Sequence, residues 1–293
     1  MGSSMLTIGR FEVCSVVTGS IRLDGGAMFG VVPKVLWEKV SDVDEHNRIL
    51  LATRTLLAVD RAARRVILVD TGCGRKWTPE QAERYAIRYD REAIPNALAR
   101  FDLTEENVTD VVVTHLHFDH NGGLTDWYDD PGGRTILRYP HARHWIHRKH
   151  WEHACTPHLK DRASFLKEDF EALEPAGVLQ FVEGEEPPPP FEGLSWWVSH
   201  GHTPYQLHPI LEGNGKRLIF IGDIAPTVAH LRRAWVMAYD VQPMRTIDEK
   251  GFLFGRAIEE GWSVAFPHDP EVGGVVLDGT VDRPIVARTL DLS

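Results

Sequence analysis

Thr114-His115-Leu116-His117-Phe118-Asp119-His120-Asn121-Gly122-Gly123 is the stretch on which the reading of this chain turns. Three histidines and an aspartate fall within six residues, directly after the apolar run Val111-Val112-Val113. Imidazole and carboxylate are the usual ligands of Zn²⁺ and its first-row neighbours. A lone histidine is ordinarily a hydrogen-bonded structural or surface residue, but packing has no use for four such side chains at this spacing. The apolar run reads as a buried strand, and Asp119 onward as a helix whose free N–H groups would face the site. An H-x-H-x-D-H pattern between strand and helix predicts a metal centre.

One cluster supplies too few ligands for two ions, so the rest of the chain was read for more. Gly201-His202-Thr203-Pro204 follows the apolar strand Leu194 to Val198. Leu218-Ile219-Phe220-Ile221-Gly222-Asp223 is a buried strand ending in Gly-Asp, and Val264-Ala265-Phe266-Pro267-His268 is another ending in a histidine. Each candidate stands at a strand end, where α/β sheets usually place their sites. Upstream, Val66-Ile67-Leu68-Val69-Asp70-Thr71-Gly72 ends a strand in Asp-Thr-Gly.

Across about residues 50–270 these five motifs, in this order, resemble the metallo-β-lactamase superfamily of metal-dependent hydrolases. The resemblance implies an α/β (α+β) fold, a four-layer αβ/βα sandwich, with residues 5–293 as one domain. It implies two divalent metal ions, zinc first, with iron, manganese or cobalt as alternatives. By the same resemblance His115, His117 and His202 would hold one ion, and Asp119, His120 and His268 the other. Asp223 would bridge them, and Asp70 would stand behind the ligands without coordinating. A hydroxide bridging the metals would attack a carbonyl or phosphoryl centre, with Asp119 and Asp223 as the catalytic carboxylates. His117 stands where flavodiiron oxidoreductases carry Glu, which disfavours oxygen chemistry, and true β-lactamases lack the bridging Asp.

Leu23-Asp24-Gly25-Gly26-Ala27-Met28-Phe29-Gly30-Val31-Val32-Pro33-Lys34 reads as a glycine-rich apolar loop. It is similar to the N-terminal loop of the quorum-quenching N-acyl homoserine lactonases, the YtnP-like branch in particular. Met28, Phe29 and Trp37 would then receive an acyl chain, or else they are packed loop residues. Pro226 stands where the better-known lactonases carry a lactone-positioning Tyr. His230 or Tyr239 is the expected substitute. Tyr205, where the related motif has Gly, would narrow the entrance. The leading expectation is a lactonase acting on an N-acyl homoserine lactone or a similar small molecule. A phosphotriester, phosphodiester or aryl-ester hydrolase is the alternative, and a non-catalytic metal-binding scaffold a more distant one.

Composition bounds the partners. A net charge of −10 with no Lys/Arg-rich block argues against nucleic acid; Arg61-Ala62-Ala63-Arg64-Arg65 reads as a solvated turn. No run of ~20 apolar residues predicts a membrane span, and residues 1–4 read as a possible tag remnant. Cys14, Cys73 and Cys155 lack C-x-x-C spacing and fit reduced thiols, so the expected location is cytoplasmic. A homodimer is expected on the likeness to the lactonases. Helices are predicted over 78–86, 91–101, 160–173 and 247–260.

Overall fold

Apolar runs in this chain are unbroken because most of its strands are covered on both faces. The computed structural model describes residues 5–128 and 132–293; residues 1–4, with the expected tag remnant, lie outside the described residues. In the strand Arg48–Asp60, Leu57 and Val59 enter one core, while Leu56 and Ala58 enter another. The same two-residue alternation separates Val66 and Leu68 from Ile67 and Val69, and Val111 from Val112. A buried Leu, Ile or Val side chain contributes ~1.5–3 kcal/mol, so a one-residue slip of any of these strands would be costly.

The first sheet runs, in spatial order, Leu6–Ile8, Phe11–Asp24, Arg48–Asp60, Arg65–Val69, Asp110–Val112, Arg143–His147 and Leu179–Val182. Arg88–Tyr89 pairs with Phe11–Asp24. The last four strands of that order are parallel, and the others antiparallel. The second sheet runs Leu194–Ser199, Gln206–Gly213, Lys216–Phe220, Ser263–Ala265, Gly274–Thr280 and Arg283–Thr289. Val13, Leu56, Ile67, Val69 and Val112 of the first sheet meet Trp196, Leu207, Leu218, Phe220 and Ala265 of the second in a shared core. Ala93–Ala99 and Arg148–Cys155 cover the outer face of the first sheet through Ala97, Leu98, Trp151 and Ala154. Pro243–Glu259 covers the second through Leu253, Phe254 and Ala257. The result is the expected four-layer αβ/βα sandwich. Among the described residues no helix is long and apolar enough to cross a membrane.

Local differences have identifiable causes. Thr78 caps Pro79–Arg84 in a reciprocal box with Gln81, as the Thr-Pro pair predicts. The expected helix over 160–173 is instead three 3₁₀ turns, Arg162–Ser164, Lys167–Asp169 and Glu171–Leu173. Phe165 and Leu166 between them are extended and join different clusters. The helix after His117 is a single turn, Phe118–Asn121. The glycine-rich loop is not a loop throughout. Its first residues finish the strand Phe11–Asp24, and Asp24 then caps the short helix Gly25–Phe29.

Candidate metal centre

Five strand ends converge on one edge of the sandwich. Asp70 follows Arg65–Val69, His115 follows Asp110–Val112, His202 follows Leu194–Ser199, Asp223 follows Lys216–Phe220, and His268 follows Ser263–Ala265. The tight turn at Gly122 admits no side chain, because a β-carbon there would lie 2.1 Å from the Cys73 carbonyl oxygen. That contact seats the ligand turn against the Asp70–Cys73 turn.

The seven expected ligands come together in two buried groups, His115, His117 and His202 in one and Asp119, His120, Asp223 and His268 in the other. Within each group the ligand atoms lie within 4.8 Å of one another. Asp223 faces both. Its Oδ2 is 3.4 Å from His202 Nε2, while its Oδ1 is 3.2 Å from His120 Nε2 and 3.3 Å from His268 Nε2. Asp119 Oδ2 is 3.4 Å from His268 Nε2.

Most of the imidazoles are aimed by a second hydrogen bond. His120 Nδ1 donates to Asp70 Oδ2 at 2.8 Å, His268 Nδ1 to the Ala52 carbonyl at 2.8 Å, and His202 Nδ1 to Asp240 Oδ1 at 3.0 Å. Asp70 sits at φ 57°, a left-handed conformation that Asp tolerates better than most residues. Its carboxylate also accepts from Thr114 N and Thr114 Oγ1, both at 2.8 Å. Asp240 was not singled out in the sequence; a buried Asp following the apolar Trp235-Val236-Met237 was its only signal.

These tautomers test whether cations fit. With Nδ1 donating in both rings, His120 in its neutral form and His268 turn Nε2 lone pairs toward each other at 3.0 Å. His202 Nε2 similarly faces His117 Nδ1 at 3.1 Å, and His115 Nε2 is buried with no hydrogen-bond partner. Converging lone pairs in a buried N/O set are what a cation of the zinc group accepts. Burial, reinforced by neighbouring imidazoles, pushes His115 and His117 well below the ordinary histidine value. Burial opposes the charge on His120 too, but the Asp223, Asp119 and Asp70 carboxylates outweigh it and raise that histidine well above the ordinary value. Asp223 is held well below the usual carboxylate range: burial would raise it, and His120, His268 and His202 overcome that.

Above the two groups opens a cleft of about 600 Å³, lined by His117, Asp119, His202, Asp223 and His268 at its floor. Leu23, Met28, Leu51, Phe118 and Met237 give apolar walls, and Tyr85, Ser164 and Tyr239 give hydroxyls. Of the expected acyl-receiving residues only Met28 reaches it. Phe29 and Trp37 are fully buried behind, stacked on each other at 5.3 Å. His230 is likewise a core residue, bonded to Thr227 Oγ1 and the Met28 carbonyl and stacked on Phe29, so of the two expected substitutes only Tyr239 faces the cleft. Burial pushes its phenol up to about 12, so it stays protonated. Tyr205 does not narrow the entrance. It packs between His147 and His200, and its hydroxyl accepts from Lys149.

One cleft wall is the run of 3₁₀ turns. Lys76 Nζ, buried, reaches Asp169 Oδ1 at 3.0 Å and the carbonyls of Gly122 and Thr125, which ties those turns to the ligand turn. Lys160 Nζ donates to the Ala238 carbonyl at 2.7 Å, joining the two sides of the cleft.

Residues 55–254 match the family described as Metallo-beta-lactamase superfamily. The N-acyl homoserine lactonase AttM of Agrobacterium fabrum is 26% identical over 166 residues, 55% of this chain, and the match spans 58% of that relative's length. A solved probable metal-dependent hydrolase from Staphylococcus aureus is 28% identical, with a TM-score of 0.84 over 98% of this chain and 100% of its own. AidC, a dizinc quorum-quenching lactonase solved with a homoserine product, superposes with a TM-score of 0.75 over 98% of both chains. At 15% identity that likeness is one of fold.

Proposed function

This chain belongs to the metallo-beta-lactamase superfamily, and we propose that it is a metal-dependent hydrolase that opens a neutral lactone, an N-acyl homoserine lactone or a close analogue. The observation that carries the choice of substrate is the cleft lining: apolar side chains and hydroxyls, with no Lys or Arg. An anionic phosphodiester would find no side-chain cation in those walls to hold its charge beyond the metals themselves. A neutral ester carbonyl with an apolar extension suits the same walls. The likeness to the lactonase AttM supports this reading.

His115, His117 and His202 would hold one ion and Asp119, His120 and His268 the other, with one oxygen of Asp223 toward each. Two bound cations of this kind supply a water deprotonated near neutral pH and a Lewis acid for the carbonyl oxygen. The chain's own residues do the rest. Asp119 lies at the cleft floor, within reach of a proton leaving the nucleophile or entering the ring oxygen. Tyr239, protonated throughout the physiological range, donates to the ester and orients it. Met28, Leu51 and Met237 take the apolar extension and keep water from it.

The test is pH-stat titration of a panel of acyl homoserine lactones with metal-replete protein, beside His117→Ala. Acid release that the substitution abolishes is expected, with a rate that responds to acyl length. No release from any lactone with two ions bound would sink the lactonase reading. Turnover of a chromogenic phosphotriester or aryl ester in its place would leave the hydrolase and change its substrate.

A further inference from the structure

Behind the first ligand group lies a histidine that belongs to neither cluster. His150, on the helix Arg148–Cys155, is fully buried, and its ring centre is 6.2 Å from that of His115. Its Nε2 accepts from the backbone N–H of Leu116 at 2.8 Å, and its Nδ1 donates to the backbone carbonyl of Pro204 at 2.8 Å. Both directions are forced, since an amide N–H can only donate and a carbonyl can only accept. Leu116 lies between His115 and His117, and Pro204 lies two residues after His202. One imidazole therefore joins the two loops that carry all three nitrogen ligands of that group. The other backbone tie between these loops, Leu207 N to the Thr114 carbonyl at 2.9 Å, lies at the root of the loops. Phe165 packs against both rings, 4.8 Å from His117 and 5.9 Å from His150, and closes the space between them.

We infer that His150 is a positioning residue that sets the spacing of His115, His117 and His202, and so the affinity of that group, but not of its neighbour, for a metal ion. The inference rests on reading the two groups as metal sites. It concerns a residue that touches no ligand atom and no part of the cleft. A neutral ring with one donor and one acceptor, used in opposite directions between two loops, is a spacer of fixed length. An apolar ring of the same size fills the volume but leaves a buried N–H and a buried C=O unpaired, and the loops would then part to reach water or other partners.

The experiment compares wild type, His150→Phe and His150→Gln by stepwise Zn²⁺ titration against a chromogenic chelator. Co²⁺ absorption reports the coordination of each site, and melting of the metal-free proteins serves as the folding control. Gln keeps an acceptor for Leu116 N–H and a donor for the Pro204 carbonyl. The expected result for His150→Phe is one dissociation constant unchanged and the other raised about ten- to hundredfold, the range seen when a partner behind a ligand is lost. The cobalt spectrum of that site should change, and Gln should restore most of the affinity. Two unchanged constants in the Phe variant would overturn the inference, as would a Gln variant that folds and yet fails to recover the weakened site. If the Phe variant does not fold, His150→Asn, whose amide falls one bond short of that of Gln, is read against Gln. Equal affinities in those two would equally overturn it. A wild-type protein that binds fewer than two ions would overturn the reading of two metal sites, and the inference with it, and the wild-type titration identifies that failure by itself.

Discussion

The two ligand groups lie side by side, three histidines in one and two histidines with two aspartates in the other, and they meet protons differently. In the first, burial and neighbouring imidazoles lower His115 and His117, and only His202 is raised, by Asp223 and Asp240 against its burial. In the second, the carboxylates of Asp223, Asp119 and Asp70 outweigh burial and hold a proton on His120. An ion entering the first group finds His115 and His117 free and meets a raised histidine only at His202, whereas in the second the raised histidine is His120, which three carboxylates surround. Shared architecture does not make the two sites equivalent, because the charges standing behind the ligands differ.

Several substitutions would break or sharpen that contrast. Replacing Asp223 by Ala should erase it, since Asp223 serves both groups. Metal content should fall at both sites and turnover by more than about a hundredfold, beyond the loss typical of a partner behind a ligand; elemental analysis beside kinetics checks this. Asp70→Asn and Asp240→Asn should separate the groups, weakening the second and the first respectively by about ten- to hundredfold, as read by chelator competition. Asp70→Asn should also loosen the hold on the His120 proton, so its second site should bind metal with less dependence on pH.

Tyr239→Phe leaves both groups intact and should lower kcat/KM about tenfold, the scale of one hydrogen bond of ~1.4 kcal/mol, with metal content unchanged. The mildest test is proton release. In weak buffer near neutral pH, filling the second site should free the proton held on His120, and an indicator dye reports it. The sign carries over to stability. The folded value of His120 lies above the ordinary 6.5, so in metal-free protein its contribution is present below pH 6.5 and is lost as pH rises through that folded value. Melting of metal-free protein across that range checks the direction.

What could be read in the sequence was whatever spacing alone encodes. His115, His117, Asp119 and His120 are close in the chain, and His202, Asp223 and His268 each end an apolar run, so the groups that the structure assembles were visible as fragments. The sandwich was legible for a related reason: strands buried on both faces leave unbroken apolar runs. His150 and Asp240 were not legible, because the role of each depends on a partner far along the chain, and His150 is one of several histidines at every third position from His141 to His153. Met28, Phe29 and Trp37 were indistinguishable as apolar side chains. The fold separates them: on the helix Gly25–Phe29, Met28 lines the cleft while Phe29 is buried behind it, and Trp37, on the following short helix Lys34–Trp37, is buried against Phe29. The segment 160–173 misled because its apolar spacing suits a helix, while in the fold Phe165 and Leu166 are extended and join different clusters, and Asp169 is held by Lys76.

The way that segment is fastened has a consequence for redesign. Its ends are fixed, at Lys160 to the far wall and at Asp169 to Lys76 beneath the ligand turn, but Ala163 and Ser164 between them line the cleft with exposed and half-buried side chains. The span between the two anchors works like an adjustable hem. Exchanges at Ala163 and Ser164 would resize the opening while Phe165 keeps its place against His117 and the strand ends that carry the ligands stay in register, so substrate range can be altered apart from metal chemistry.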